Sequence, residues 1–197
     1  MQIVFLLDRS GSMDSIKDDT IGGFNTFLKG HQKAEGQATF TLIQFDTYYE
    51  IVYLNVDIHN AKLLTEETFT PRGSTALLDA IGRTIVELRS KADQNILFVI
   101  LTDGLENSSR EYNTKQIADM ITKQIDAGWQ FVYLGANQDA VLTGARMGFN
   151  PNETITFDAN PKGVQNTYNA LLRSTLVYRN TGTLEFTDTD RKMAQAQ

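Results

Sequence analysis

The chain has 197 residues, 41% of them hydrophobic and 21% charged, which places it among ordinary globular proteins of one domain and excludes a disordered, collagen-like or Pro-rich chain. Lys and Arg total 18 against 24 Asp and Glu, a net charge of -6. That balance argues against nucleic acid and anionic membrane surfaces as partners and is compatible with cation binding. Cysteine is absent, so disulfides, thiolate zinc sites, iron–sulfur clusters and thiol nucleophiles are excluded. The 2 histidines, His31 and His59, are too few for a multi-histidine metal site. A metal held here would be held by oxygen, which favours magnesium, manganese or calcium.

Residues 3–7 form a continuous apolar run that stops at Asp8, with no basic flank. The run predicts a strand covered on both faces and not a leader, and leads to the expectation of a cytoplasmic chain. A polar loop, residues 8–13, precedes a helix expected from about residue 14 to 32, where Ile21, Phe24, Phe27 and Leu28 recur at helical spacing and Gly22-Gly23 is a weak point. Residues 39–45 and 49–56 are rich in β-branched and aromatic side chains around a turn at Asp46-Thr47, and predict a hairpin whose second member lies at a sheet edge. Residues 59–70 are irregular, with one helical turn expected at 61–64.

A turn at 71–75 leads into a helix beginning near Thr75, with Leu77, Leu78, Ile81, Ile85 and Leu88 as its apolar stripe. Residues 95–102 make the most strongly apolar strand of the chain and end in Asp103-Gly104. Asn113 is a candidate N-cap for a helix burying Ile117, Met120, Ile121 and Ile125, closed by Gly128. A strand at 129–134 follows, then a short helix capped by Asn137 and reaching about Met147, and a strand at 154–157. Asn160-Pro161 opens a helix with Val164, Tyr168, Leu171, Leu172 and Leu176 on its buried side. The chain divides into a domain at 1–179 and a polar, loosely held tail at 180–197. Strands alternating with helices predict an α/β fold: a mostly parallel sheet with one antiparallel edge strand and helices on both faces.

Three places carry chemistry: Asp8-x-Ser10-x-Ser12, Thr75 and Asp103. Each follows a strand or opens a helix, where an open α/β sheet places its ligand crevice. If the strands ending at Asp8 and Asp103 are neighbours, two carboxylates and three hydroxyls share one rim. This all-oxygen set suits magnesium, which keeps several waters and few carboxylates. Taken alone, Asp8, Ser10 and Ser12 would serve equally well as helix caps.

Asp8-Arg-Ser-Gly-Ser-Met13, Gly73-Ser-Thr75-Ala-Leu-Leu-Asp79-Ala-Ile81 and Leu101-Thr-Asp103-Gly104 together resemble the metal-ion-dependent adhesion site of von Willebrand factor type A domains. The resemblance covers roughly the first three-quarters of the chain and implies a Rossmann-like sheet with a metal at its top. It further implies Ser10, Ser12 and Thr75 as direct or near-direct ligands, and Asp8 and Asp103 as ligands directly or through water. A partner's Asp or Glu would take the sixth position. The chain is most similar in kind to small cytoplasmic bacterial or phage proteins of that family.

Arg9, inside the loop, reads as a solvated side chain, or else as one that steers an acidic partner. Asp79 is expected to accept loop amides, Glu106 and Asn107 to be solvent-exposed or to line a partner surface, and both histidines to be peripheral. Asp46 is ambiguous. The expected function is non-enzymatic, metal-dependent protein binding, with no catalytic residues. Alternatives are a structural subunit and a magnesium-dependent phosphoryl-transfer enzyme, since phosphatases also place an Asp nucleophile at a strand end. Against the enzyme, position 10 is Ser where a second acid would serve as general acid, and no Lys or Arg lies near Asp103 in sequence. Walker A, G-x-G-x-x-G and G-x-S-x-G motifs are absent.

Overall fold

The computed structural model describes residues 1–89, 95–137 and 139–195. Six strands form one sheet: β1 (Gln2–Asp8), β2 (Thr39–Phe45), β3 (Tyr49–Asp57), β4 (Ile96–Thr102), β5 (Gln130–Ala136) and β6 (Thr154–Phe157). Their order is β3-β2-β1-β4-β5-β6, parallel throughout except for the antiparallel hairpin of β2 with the outer strand β3. The helices are α1 (Lys17–Lys33), α2 (Leu77–Arg89), α3 (Thr114–Asp126), α4 (Ala140–Arg146), α5 (Pro161–Thr181) and α6 (Asp188–Ala194).

Every residue of β1 and β4 is buried, so alternate side chains feed two separate cores. Ile3, Phe5 and Leu7 pack with Phe24 and Phe27 of α1 and Tyr168 and Leu171 of α5. Val4 and Leu6 pack on the other face with Leu77, Ile81 and Ile85 of α2 and Ile117 and Ile121 of α3. At about 25 cal/mol per Å2 of apolar surface, this double-sided burial is what drives the sheet to form in the middle of the molecule. Among the described residues, no helix is long and apolar enough to cross a membrane.

Several local expectations are corrected. The first helix is split: a 3-10 turn at Gly11–Ile16 precedes α1, because Ile16 leaves helical geometry at φ -126, ψ 21. Gly23 is not a weak point but a contact, since a Cβ there would stand 2.0 Å from the Tyr168 ring. The helical turn expected at 61–64 does not form; a 3-10 turn at Ile58–Asn60 replaces it. The Asn25 amide instead holds Leu64, donating to its carbonyl at 2.9 Å and accepting from its N–H at 2.8 Å. α2 starts at Leu77, two residues after Thr75. Asn113 caps α3 in a reciprocal capping box with Gln116, but Ile125 is 42% exposed. Asp139, and not Asn137, caps α4; Asn137 accepts from the Ala159 N–H at a positive φ of 50.

The segment after Asn180 is not loosely held as far as it is described. Leu184, Phe186 and Ala194 are buried in the α1–α5 core, and Thr187 opens α6 with a capping box to Asp190. The Asp158 N–H donates to the Ala194 carbonyl at 3.0 Å, and Arg191 donates to the carbonyls of Thr154, Pro151 and Asn152, so α6 covers the end of the sheet at β6. Polar composition concealed two aromatic and aliphatic anchors spaced between capping residues. Ala196 and Gln197 lie outside the described residues.

Candidate metal centre

β1 is paired in register on both sides, Asp8 with Phe45 of β2 and Leu7 with Leu101 of β4. The carboxyl ends of β1 and β4 therefore lie side by side where the strand order reverses, the position at which open α/β sheets hold ligands. Asp8 closes β1, Asp103 follows β4, and the 3-10 turn carries Ser12 over the top of both.

Four of the five predicted residues form a connected set. The Ser10 N–H donates to Asp8 Oδ1 at 2.6 Å. Ser10 Oγ lies 3.1 Å from Ser12 Oγ, and Ser12 Oγ donates to Asp103 Oδ1 at 2.6 Å. Thr75 joins by proximity. A Cβ on Gly104 would stand 2.5 Å from Thr75 Oγ1, so the Thr75 hydroxyl lies against the residue that follows Asp103. Its backbone is fixed by Asn107, whose Oδ1 accepts the Thr75 N–H at 2.9 Å while its own N–H donates to the Thr75 carbonyl at 3.1 Å.

Two participants were missed in the sequence. Thr102 Oγ1 donates to Asp8 Oδ2 at 2.5 Å and accepts from the Gly104 N–H at 3.1 Å, tying the two acidic strand ends together. Gly104 leaves the space that Thr75 enters. The signal for both was the Thr-Asp-Gly run directly after an apolar strand, in which a terminal polar β-branched residue has no packing role.

Asp8 is fully buried, and burial pushes its carboxyl up to about 7, with the Asp103 charge adding to the rise against hydrogen bonds from Thr102 and Ser10. Burial also raises Asp103. Among the described residues, no Lys or Arg forms an ion pair with either acid. The two carboxyls thus lack a positive counter-charge from the protein. A hard dication would supply it, and the donors are the right kind: carboxylate and hydroxyl oxygens only. Oxygens adjacent on an octahedral ion at 2.0–2.1 Å lie about 3 Å apart, which the 3.1 Å between Ser10 Oγ and Ser12 Oγ matches. The residues present fit such an ion. Among the described residues, no group of three or more His, Asp or Glu side chains converges to hold a metal, so this centre depends on its hydroxyls.

The surrounding residues divide clearly. Asp79 behaves as expected, its carboxylate accepting the N–H groups of Arg110, Glu111 and Tyr112. Glu106 is neither simply solvated nor free for a partner; it accepts from the N–H groups of Leu78, Ser108 and Ser109 and from Ser109 Oγ. Asn107 holds Thr75 as described. Arg9 is not solvated: it is buried against Asp46, which is itself buried. His31 is buried in the core, not peripheral.

No described protein family is matched by the sequence, and no curated protein matches it. Solved structures do share its architecture. Proximal thread matrix protein 1 from the mussel byssus superimposes with a TM-score of 0.66 at 13% identity, covering 89% of this chain and 46% of that one. A second structure of that protein, also at 0.66, has zinc in its metal-ion-dependent adhesion site. The ArnB paralog VWA2 from Sulfolobus acidocaldarius matches at 0.63 and 13% identity, over 88% of this chain and 44% of that one. The pilus adhesin SpaC from Lactobacillus rhamnosus GG matches at 0.70 and 15% identity, over 89% of this chain and 30% of that one. The chain spans less than half the length of each of these proteins. At such identities the likeness concerns architecture alone, and on it, with the strand order and the single antiparallel edge strand, the chain has a von Willebrand factor type A-like fold.

Proposed function

We propose that this protein is a metal-dependent protein-binding module. Asp8, Ser10, Ser12, Thr75 and Asp103 hold a divalent cation, magnesium first and manganese or calcium as substitutes, and an Asp or Glu of a partner protein completes the coordination. When bound, the ion supplies positive charge and an open position for a carboxylate. The chain's own residues do the rest: Thr102 and the Ser10 N–H hold the Asp8 carboxylate in place, Ser12 reaches Asp103, and Asn107 presents Thr75.

The observation that carries this reading is the unbroken line of oxygens from Ser10 through Ser12 to Asp103 beside a buried, uncompensated Asp8. The rim supports it. Tyr48 and Leu105 are 71% and 64% exposed, apolar surface suited to a protein partner, and Arg72 adds a half-exposed cation that favours an acidic one. The mussel protein, similar in architecture, holds zinc in its own adhesion site, which supports a dication here.

Magnesium titration by calorimetry tests the reading. Wild type should give a saturable signal and a thermal midpoint that rises with magnesium, by about 2.7 kcal/mol of stability at one hundred times Kd. Asp103→Ala should keep its circular dichroism spectrum and lose both responses. A wild type indifferent to millimolar magnesium, or an Asp103→Ala variant that binds as well, would sink the proposal. Release of product from a chromogenic phosphate ester, abolished by Asp8→Ala, would instead mark a phosphoryl-transfer enzyme.

A further inference from the structure

Arg9 is the one cation placed inside the candidate metal loop, between Asp8 and Ser10, yet its guanidinium turns away from Asp8. Nε donates to Asp46 Oδ2 at 3.1 Å, and Nη1 donates to Gln44 Oε1 at 3.2 Å and Glu50 Oε2 at 2.8 Å. The Arg9 and Asp46 side chains are only 6% and 1% exposed. The backbone of Arg9 is also held on both sides, its N–H donating to the Phe45 carbonyl at 2.6 Å and its carbonyl accepting the Arg72 N–H at 2.8 Å.

Asp46 extends the connection to the segment that carries Thr75. Its Oδ2 also accepts Arg72 Nε at 3.0 Å, and its carbonyl accepts the Ala76 N–H at 3.1 Å. The Gly11 N–H closes the circuit onto the Gly73 carbonyl at 3.1 Å. Two loops that are far apart in sequence, one with Ser10 and Ser12 and one with Thr75, are thus joined through one buried ion pair.

We propose that Arg9 is a positioning residue for the metal centre, locking the Ser10–Ser12 loop to the Thr75 loop through Asp46 before any metal arrives. The inference rests on the metal-binding function proposed above. A buried ion pair is a weak source of net stability, because desolvation offsets most of the attraction, and an apolar side chain of similar volume would serve packing as well. Nη2 of Arg9 is buried with no hydrogen-bond partner among the described residues, a further cost to stability. What the pair does provide is fixed geometry, and an oxygen cage needs its donors placed to within about 0.5 Å. Charge placement fits the same role. Asp46 and Glu50 neutralise the guanidinium, so the loop carries an arginine without repelling a dication.

A purely electrostatic and a positioning role predict opposite signs. If Arg9 mattered only as a positive charge near the site, Arg9→Met would tighten magnesium binding. The positioning role predicts weakening by about tenfold, the lower end for residues that orient metal ligands. It also predicts faster amide exchange at Ser10–Ser12 and Gly73–Ala76 in metal-free protein, with Arg9→Lys giving partial recovery of both. Unchanged or tighter binding by Arg9→Met, with wild-type exchange in both loops, overturns the inference and leaves metal binding standing. A wild type that binds no magnesium overturns both. Should Arg9→Met fail to fold, Glu50→Gln decides, because it removes only the half-exposed outer partner. Faster amide exchange at Ser10–Ser12 and Gly73–Ala76 in the metal-free variant supports the lock, and wild-type exchange there refutes it; weaker magnesium binding is expected from the lost charge alone and does not decide.

Discussion

His31 has no solvent exposure, and its ring is held in one neutral form. Arg179 Nη1 faces Nδ1 at 3.3 Å and can only donate, so Nδ1 accepts. Nε2 then donates to Thr175 Oγ1 at 2.9 Å, whose own proton goes to the Leu171 carbonyl at 2.7 Å. Burial, with the Arg179 charge adding to it, lowers His31 from 6.5 to about 3. The folded state therefore takes up no proton between those values while the unfolded chain does. Stability contributed by His31 is complete above pH 6.5 and falls as pH drops through that window, by up to about 1.4 kcal/mol per pH unit. Asp8, raised to about 7, titrates in the same window with the opposite sign, so the test is a difference: between pH 6.5 and 5 the stability of wild type relative to His31→Gln, from urea melts, should fall with this slope as pH drops, and a constant difference would refute it. The burial was legible, since His31 follows Phe24 and Phe27 by seven and four residues and continues their stripe. Its polar neighbours Lys29, Gln32 and Lys33 masked that spacing.

Among the elements, α1 and α5 meet through glycines. Gly23 admits the Tyr168 ring, which stacks at 6.3 Å on Phe5, and a Cβ on Gly30 would stand 2.5 Å from a Leu172 methyl. Gly23→Ala gains helix propensity but forces the helices apart, and overpacking of this kind typically costs about 1–3 kcal/mol. A lower thermal midpoint is expected, and an unchanged or higher one would mean that the ring yields. At the other end of the same core, Phe186→Ala should cost about 3–5 kcal/mol in chemical denaturation, the usual range for a buried Phe, although the residue sits in what reads as a polar tail. A loss under 1 kcal/mol would show that α6 adds little to the domain. Strand and helix order were legible because their periods of 2 and 3.6 are local properties. Helix starts were less so. The 3-10 turn before α1 and the late start of α2 follow from loops held by partners elsewhere in the chain, Gly73 for the first and Asn107 and Glu106 for the second.

Across the whole molecule, the sheet order puts Asp8 and Asp103 on neighbouring strand ends, and the turn carrying Ser12 bridges them. The chemistry of the candidate centre could be anticipated from residue types alone: no cysteine, two scattered histidines, and acids and hydroxyls placed just after apolar runs. The alternation of strand and helix likewise pointed to a parallel sheet with its crevice at the strand ends. Where the polar side chains go could not be anticipated. Arg9 looked solvated and is buried on Asp46; Glu106 looked exposed and is half-buried on backbone amides; Asn107 is exposed as expected but also holds Thr75; the segment after Asn180 looked loose and closes over β6. Hydrophobic periodicity is written in neighbouring residues, so it survives in one dimension. A buried charge or amide often finds its partner far along the chain, 37 positions from Arg9 to Asp46 and 94 from Asp8 to Thr102, and that partner is set only when strand register and helix packing bring the two together.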